Sequence, residues 1–471
     1  MIEMKKAIAP EIEKLHNWLK ERENDLLRDY RKMLQIPSIQ SDPLPDAPFG
    51  AENRKALDYA LELSKQFGMK TTDLEGFIGF GEFGTGTPLI LSLGHLDVVP
   101  TGPGWKHPEF GAEIDNGYVY SRGAVDDKGP TMASLYALRA IKECFPDLKV
   151  RFRQVFGCNE ESGFNCVHRY TKTEELPTFG VAPDSGWPLC NAEKGIGDLI
   201  VSIPLLTGSF ALKELSGGQR PNIVIDRVEG KVEVSPEIKS VVSVSASEHW
   251  DKNVTYSWNN NELEFVATGK AAHGSTPFSG DSALTKALRF LLSICPLDAK
   301  EYHDELVQIM QPSGVGLGIH GREDATGDLT SNIGIVTTSD GAIHLTVNVR
   351  YPTSWTGGEL LKKCESHLKS LTCKATVKLD HDAKGLYYPL DSVLVKTILT
   401  AYREETGDMT EPFSMGGGTY ARAIANTVSI GTGWLGDGDA HQTDERLAVE
   451  SLYKMSRIYS HILYALALEA L

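Results

Sequence analysis

The sequence predicts an α/β protein: one domain with a mainly parallel sheet flanked by helices, and an α+β domain inserted into it. Three observations carry this. Up to about residue 190, short β-rich runs alternate with helical ones, the pattern of a parallel sheet covered on both faces. From about 196 to 382 the runs become alternating strands separated by helices, as in an α+β module. From about 385 the chain returns to helix, strand and helix. The expected organisation is therefore 1–195 and 383–471 as one discontinuous domain, with 196–382 as the insert. At 471 residues, roughly 150 per domain would allow about three units, and two larger ones also fit.

The elements follow in order. Ile12, Leu15, Trp18, Leu19, Leu26, Tyr30, Met33 and Leu34 recur at helical spacing, with Pro37 just beyond. They predict one amphipathic N-terminal helix that serves packing. Residues 89–93 (LILSL) form a buried-strand run, 130–145 read as helix, 150–157 (VRFRQVFG) as a strand and 179–182 as a short strand. In the insert, ELEFVAT, AIHLTVNVR and KATVKL read as strands, with helices around 281–294 and 356–370. The tail gives the strand TVSIGTG and a long terminal helix over 445–468.

Composition narrows the function. Hydrophobic residues are 41% and charged residues 23%, enough to bury sizeable cores and too apolar for a disordered chain. Asp plus Glu is 63 against 47 Lys plus Arg, a net charge of −16. Such a surface repels phosphate backbones, so neither nucleic acid nor an anionic membrane is an expected partner. The seven cysteines (Cys144, Cys158, Cys166, Cys190, Cys295, Cys364, Cys373) contain no C-x-x-C pair and read as reduced thiols in a reducing compartment. The first thirty residues are dense in charge with no apolar core of signal-peptide length, and no run approaches 18 apolar residues. A cytoplasmic protein with no membrane span is expected.

In parallel sheets ligands bind beyond the carboxyl ends of strands. The chain places polar residues there each time: His95 and Asp97 after LILSL, Glu160 and Glu161 after RQVFG, Asp184 after FGVA. Asp126 and Asp127 stand in GAVDDKGP, and His441 in GDGDAHQTDE. Alone, each has an ordinary explanation. H-x-D at a strand end is more often structural, a Glu pair is usually a solvated face, and Asp-Asp-Lys-Gly suits a turn before a helix. Together they are the imidazole and carboxylate inventory that a hard or borderline divalent ion needs. Two ions about 3.5–4 Å apart can activate a water and polarise a carbonyl, and a spare carboxylate can then serve as general base.

The motifs GHLDVVPTGPGW, SRGAVDDKGP, NEESG, APDSGWP, AAHGSTP, VNVRYP and GGGTYAR, with a later His, resemble a known family. It is the dinuclear-zinc metallopeptidases that include carnosinases, bacterial dipeptidase V, succinyl-diaminopimelate desuccinylase, aminoacylases and glutamate carboxypeptidase. The resemblance runs from about residue 90 to 446, and DDKGP and GGGTYAR look most like the dipeptidase V and carnosinase branch. It implies that His95 and Asp184 hold one metal, Glu161 and His441 the other, and that Asp126 bridges them. It also implies that the Asp97 carboxylate orients the His95 ring and that Glu160 is the general base. Asp127 receives no role. The segment GWLGDGDAH departs from the family's short apolar run, and Asp437 or Asp439 could be mistaken for the ligand in place of His441.

In the insert, which the resemblance makes a lid, His273 of AAHGSTP would support the oxyanion of the tetrahedral intermediate. Arg350 of VNVRYP would clamp the substrate's free carboxylate, a bidentate task that suits a guanidinium. Asn222 would lie near the same carboxylate, and Gly416 and Gly417 would let the backbone approach the ligand. The expectation is thus a cytoplasmic, monomeric dipeptidase with two zinc ions, or manganese or cobalt in their place, acting on small peptides with a free C-terminal carboxylate. The alternative within the same chemistry is an amidohydrolase that deacylates N-acyl amino acids. A non-catalytic relative would have lost a ligand or the base, and here none is missing.

Overall fold

The computed structural model describes residues 9–471. The first eight residues, part of the segment read above as lacking a signal-peptide core, lie outside the described residues. The chain divides into two compact units: one made of residues up to Asn191, Tyr388–Phe413 and Gly418–Leu471, the other of Ala192–Tyr387 and Ser414–Gly417. Each has its own hydrophobic core.

The first unit opens with two helices, Pro10–Lys20 and Glu23–Leu34, where one was expected. The reason lies in the apolar stripe. Ile12, Leu15 and Leu19 are buried, but no apolar residue follows at one turn's spacing until Leu26. Arg22 stands at the gap with its guanidinium 4.0 Å from the Trp18 ring centre, and a second stripe starts after it. Helix Ala51–Gln66 and the hairpin Lys70–Leu74 with Ile78–Gly84 follow, none of them foreseen.

The sheet of this unit runs in the order Lys70–Leu74, Ile78–Gly84, Arg151–Gly157, Leu89–His95, Phe179–Ser185, Thr427–Gly431, Leu189–Glu193. The four central strands are mutually parallel and the outer ones antiparallel. Leu89–His95 is buried at every residue, because both faces of a central parallel strand are covered. Helices Lys128–Cys144 and Val449–Glu469 pack against each other and against this strand. The last helix starts at Val449, later than expected, because Arg446–Ala448 is drawn into a small sheet with Tyr118–Tyr120.

The second unit is an antiparallel sheet in the order Val254–Asn259, Glu262–Thr268, Arg227–Val234, Phe210–Gly217, Thr330–Ser339, Ala342–Tyr351, Gly195–Pro204, Thr376–Ala383. Burial alternates along Gly195–Pro204, as it does where one face meets a core and the other meets water. Helices Ala283–Ile294 and Gly357–Leu368 cover the apolar face. All seven cysteines are buried and free. Among the described residues no helix is long and apolar enough to cross a membrane.

Candidate metal centre

The four parallel strands end at one edge of the sheet of the first unit, and the site is built there. His95 is the last residue of Leu89–His95 and pairs with Gly157, the last of Arg151–Gly157. Three residues beyond Gly157 come Glu160 and Glu161, and Asp184 lies near the end of Phe179–Ser185. Thr427–Gly431 leads into the loop that carries His441. Asp126 enters just before helix Lys128–Cys144, joined to Asp127 by a cis peptide bond.

These side chains converge. His95 Nε2 lies 2.9 Å from Asp126 Oδ1 and 4.0 Å from Asp184 Oδ1. His441 Nε2 lies 3.1 Å from Asp126 Oδ2 and 3.0 Å from Glu161 Oε1. Asp126 therefore turns one oxygen to each imidazole. Donor atoms of His95, Asp126 and Glu161 fall within 4.8 Å of one another, and so do those of His95, Glu160 and Asp184. His95 Nδ1 sits 2.8 Å from the Asp97 carbonyl oxygen, which can only accept. Nδ1 therefore carries a proton, and in the neutral ring the Nε2 lone pair faces the carboxylates.

The electrostatics ask for positive charge. Burial opposes a charge on His95, yet Asp126, Asp184 and Asp97 outweigh it and raise its pKa. Asp126 and Glu161 raise His441 to about 10. Burial would raise Asp126 too, but His441 and His95 hold it well below the usual carboxylate range. Desolvation and the Asp184 charge push Glu160 well above it. Four carboxylates around two imidazoles make a mixed oxygen and nitrogen donor set with excess negative charge, and this fits divalent cations.

The sequence profile described as Peptidase family M20/M25/M40 matches residues 91–465. The chain belongs to this peptidase family. It is 34% identical over 474 residues to "Putative dipeptidase YtjP" of Bacillus subtilis (strain 168), covering 96% of this chain and 100% of that protein. It is 33% identical over 472 residues to a "Putative dipeptidase" of Staphylococcus epidermidis (strain ATCC 12228 / FDA PCI 1200), covering 95% and 98%. The fold is shared with human carnosine dipeptidase 1, at a TM-score of 0.58 and 14% identity over 98% of this chain and 100% of that one. It is also shared with the di-peptidase Dug1p from Saccharomyces cerevisiae, at 0.55 and 15% over 97% and 98%.

Within this M20 peptidase, Asp97 reaches the His95 ring twice: its carbonyl oxygen lies 2.8 Å from Nδ1 and its carboxylate Oδ1 3.6 Å from the same atom. The carboxylate accepts the N–H groups of Glu160 and Glu161 at 3.0 and 3.1 Å, so it holds the loop that carries both glutamates. Asp127, given no role from sequence, accepts from the His95 N–H and from Thr131 Oγ1, both at 3.0 Å. Sequence reasoning also missed Tyr420, whose ring meets His95 edge-on and whose hydroxyl would collide with a Cβ at Gly157. It missed Glu445 as well. Burial and the nearby Asp126 push Glu445 up to about 7, against the four donors that favour its anion. Both stood in quoted motifs, GGGTYAR and GDGDAHQTDE, but tyrosine has a core reading and Glu445 looked like a helix start.

In the second unit, His273 is exposed and its Nδ1 accepts the Ser275 N–H at 3.2 Å. A neutral His273 therefore carries its proton on Nε2. Asn222 is its neighbour: the Gly274 N–H donates to the Asn222 carbonyl at 2.7 Å. Arg350 is buried, donating through Nε to Asn348 Oδ1 and through Nη1 to the Gly416 carbonyl, both at 2.9 Å. A Cβ at Gly416 would lie 3.1 Å from that of Ser275, and one at Gly417 2.9 Å from Met415 Cε.

Proposed function

We propose that this M20 peptidase is a dipeptidase that hydrolyses small peptides with a free C-terminal carboxylate, using two divalent cations, zinc foremost. The observation that carries this reading is the split of Asp126, one oxygen towards His95 and the other towards His441. In it, His95 and Asp184 hold one cation, Glu161 and His441 the other, and Asp126 both. When bound, the cations polarise the scissile carbonyl and make a water easier to deprotonate.

The remaining steps belong to the chain's own residues. Glu160 takes a proton from the attacking water and returns it to the departing amine, work that a carboxylate with a raised pKa suits. His273 donates from Nε2 to the developing oxyanion. Arg350 pairs with the substrate carboxylate, with Asn222 near the same group. Within the first unit, a cavity of about 310 Å³ is lined by Asp126, Asp184, Ser185, Trp434, Asp437 and Asp439. Beyond the proposed ligands Asp126 and Asp184, this lining keeps Asp437 and Asp439, whose charge favours a substrate with a free ammonium and so supports a dipeptide over an N-acyl amino acid. A monomeric, cytoplasmic enzyme completes the proposal.

The test is metal analysis of the purified protein followed by hydrolysis assays on a panel of dipeptides and N-acyl amino acids. About two divalent ions per chain and cleavage of dipeptides are expected. Preference for N-acyl amino acids would move the reading to the deacylase, and full activity without metal would end it.

A further inference from the structure

We infer that Glu445 is a positioning residue for the metal centre: paired with Arg122, it fixes the backbone from which Asp126 and His441 meet a shared cation. The inference rests on the ligand assignment proposed above. Glu445 is 1% exposed. Its Oε1 accepts the N–H groups of Val125 at 2.9 Å and of Asp126 itself at 3.2 Å. Its Oε2 accepts the Gly123 N–H at 3.1 Å and Arg122 Nη1 at 2.7 Å.

Arg122, equally buried, extends the hold to two more loops. Nη1 also donates to the Gln442 carbonyl, beside His441, at 3.2 Å. Nη2 donates to the carbonyls of Pro100 and Thr101, in the loop after the strand that ends at His95, at 3.4 and 3.3 Å. One ion pair thus joins the three loops that carry or adjoin His95, Asp126 and His441.

The need for this anchor shows at His441. Its side chain is half exposed, so packing does not hold the ring. Its backbone sits in the left-handed region, at φ 64°, a conformation that non-glycine residues keep only when their surroundings impose it. The nearby fixed points are the Gln442 carbonyl and Glu445. A carboxylate suits the task because it accepts four hydrogen bonds and donates none. Glutamine would set an amide N–H₂ against groups that are themselves donors. A residue that orients metal ligands typically costs 10–100-fold in metal affinity when replaced.

The experiment compares zinc binding by metal-free wild type, Glu445→Gln and Arg122→Lys, by titration against a chromophoric chelator, with thermal unfolding of the same samples. Wild type is expected to take about two zinc ions. Each variant is expected to keep one tight site and to bind the second roughly 10–100-fold more weakly, with dipeptidase kcat recovering at high zinc and KM unchanged. A lowered melting temperature with both zinc affinities intact would overturn the inference, since the pair would then serve the fold alone. Failure of both variants to fold would overturn it in the same way. Wild type that binds no zinc would instead remove the proposed function on which it rests.

Discussion

In the first unit Leu89–His95 is buried at every residue, whereas in the second Gly195–Pro204 buries every other one. The difference decides where chemistry can be put. A central parallel strand has no wet face, so polar residues gather where the strand stops, and His95, Glu160, Glu161 and Asp184 do so together. An antiparallel strand with one wet face can carry a polar residue anywhere along it. The candidates there come from different kinds of element: His273 and Asn222 from neighbouring loops, Arg350 from the buried end of the strand Ala342–Tyr351. In the proposed reading, the first unit is a preassembled centre and the second supplies side chains for substrate.

The largest expected effects break or confirm the first half of that contrast. Glu160→Gln keeps size and removes the base, so turnover should fall by roughly 10²–10⁴ with metal content unchanged. Glu161→Gln should lose metal. Glu160 also lies within ligand distance of His95 and Asp184, so metal analysis of the two variants is the deciding measurement. Metal loss in Glu160→Gln and retention in Glu161→Gln would exchange their roles.

The second half is sharpened by residues that should change catalysis without touching metal. His273→Ala should lower kcat by roughly 10²–10³, the usual cost of one oxyanion donor, at unchanged metal content. Mixing His273→Ala with Glu160→Gln chains should restore nothing, because each chain is expected to use its own histidine; recovered activity would show exchange between subunits. Arg350→Met should reduce kcat/KM for dipeptides at least roughly tenfold, and a dipeptide amide should already be a poor substrate whose loss on mutation is small. Both substrates with both proteins form a double-mutant cycle. Additive losses would mean that Arg350 does not meet the carboxylate.

The same contrast explains what was legible in the sequence. The proposed ligand set stood out because strand-end carboxylates and histidines interrupt apolar runs, and the resemblance then gave them the roles proposed above. The supporting network did not stand out. Asp127, Tyr420 and Glu445 act through backbone N–H groups and ring packing, which leave no spacing pattern. Asp97 was marked for the His95 ring, but its carboxylate also accepts the Glu160 and Glu161 N–H groups from a distant loop, which no local spacing shows. In the second unit ELEFVAT and AIHLTVNVR alternate over seven and nine residues and were readable. Phe210–Gly217 carries a bulge between Leu212 and Glu214 that shifts the alternation partway, and it was missed. The break at Arg22 was hidden because the residues on both sides keep helical spacing.

The smallest effect concerns how a discontinuous unit is held together. The first unit is assembled from three stretches of chain, and one partly buried carboxylate touches all of them. Glu405, on helix Val393–Thr406, has Oε1 2.7 Å from His461 Nδ1 and 3.1 Å from His16 Nε2. Glu404 faces the same cluster, 3.7 Å from His461 Nε2. Burial would raise the pKa of Glu405, but the two imidazoles outweigh it and hold it at about 2. A carboxylate lowered on folding adds stability above its ordinary value, near 4.5, and that stability is lost as pH falls from there towards 2. Melting temperature should therefore drop more steeply between pH 5 and pH 3 in wild type than in Glu405→Gln, and at pH 7 the variant should be the less stable by a few degrees. Amide exchange localises the effect: helix Val449–Glu469 should loosen in the variant while the sheet of the second unit stays protected. Equal acid sensitivity in the two proteins would show that Glu405 does not bind the three stretches, and that the apolar core alone holds this unit together.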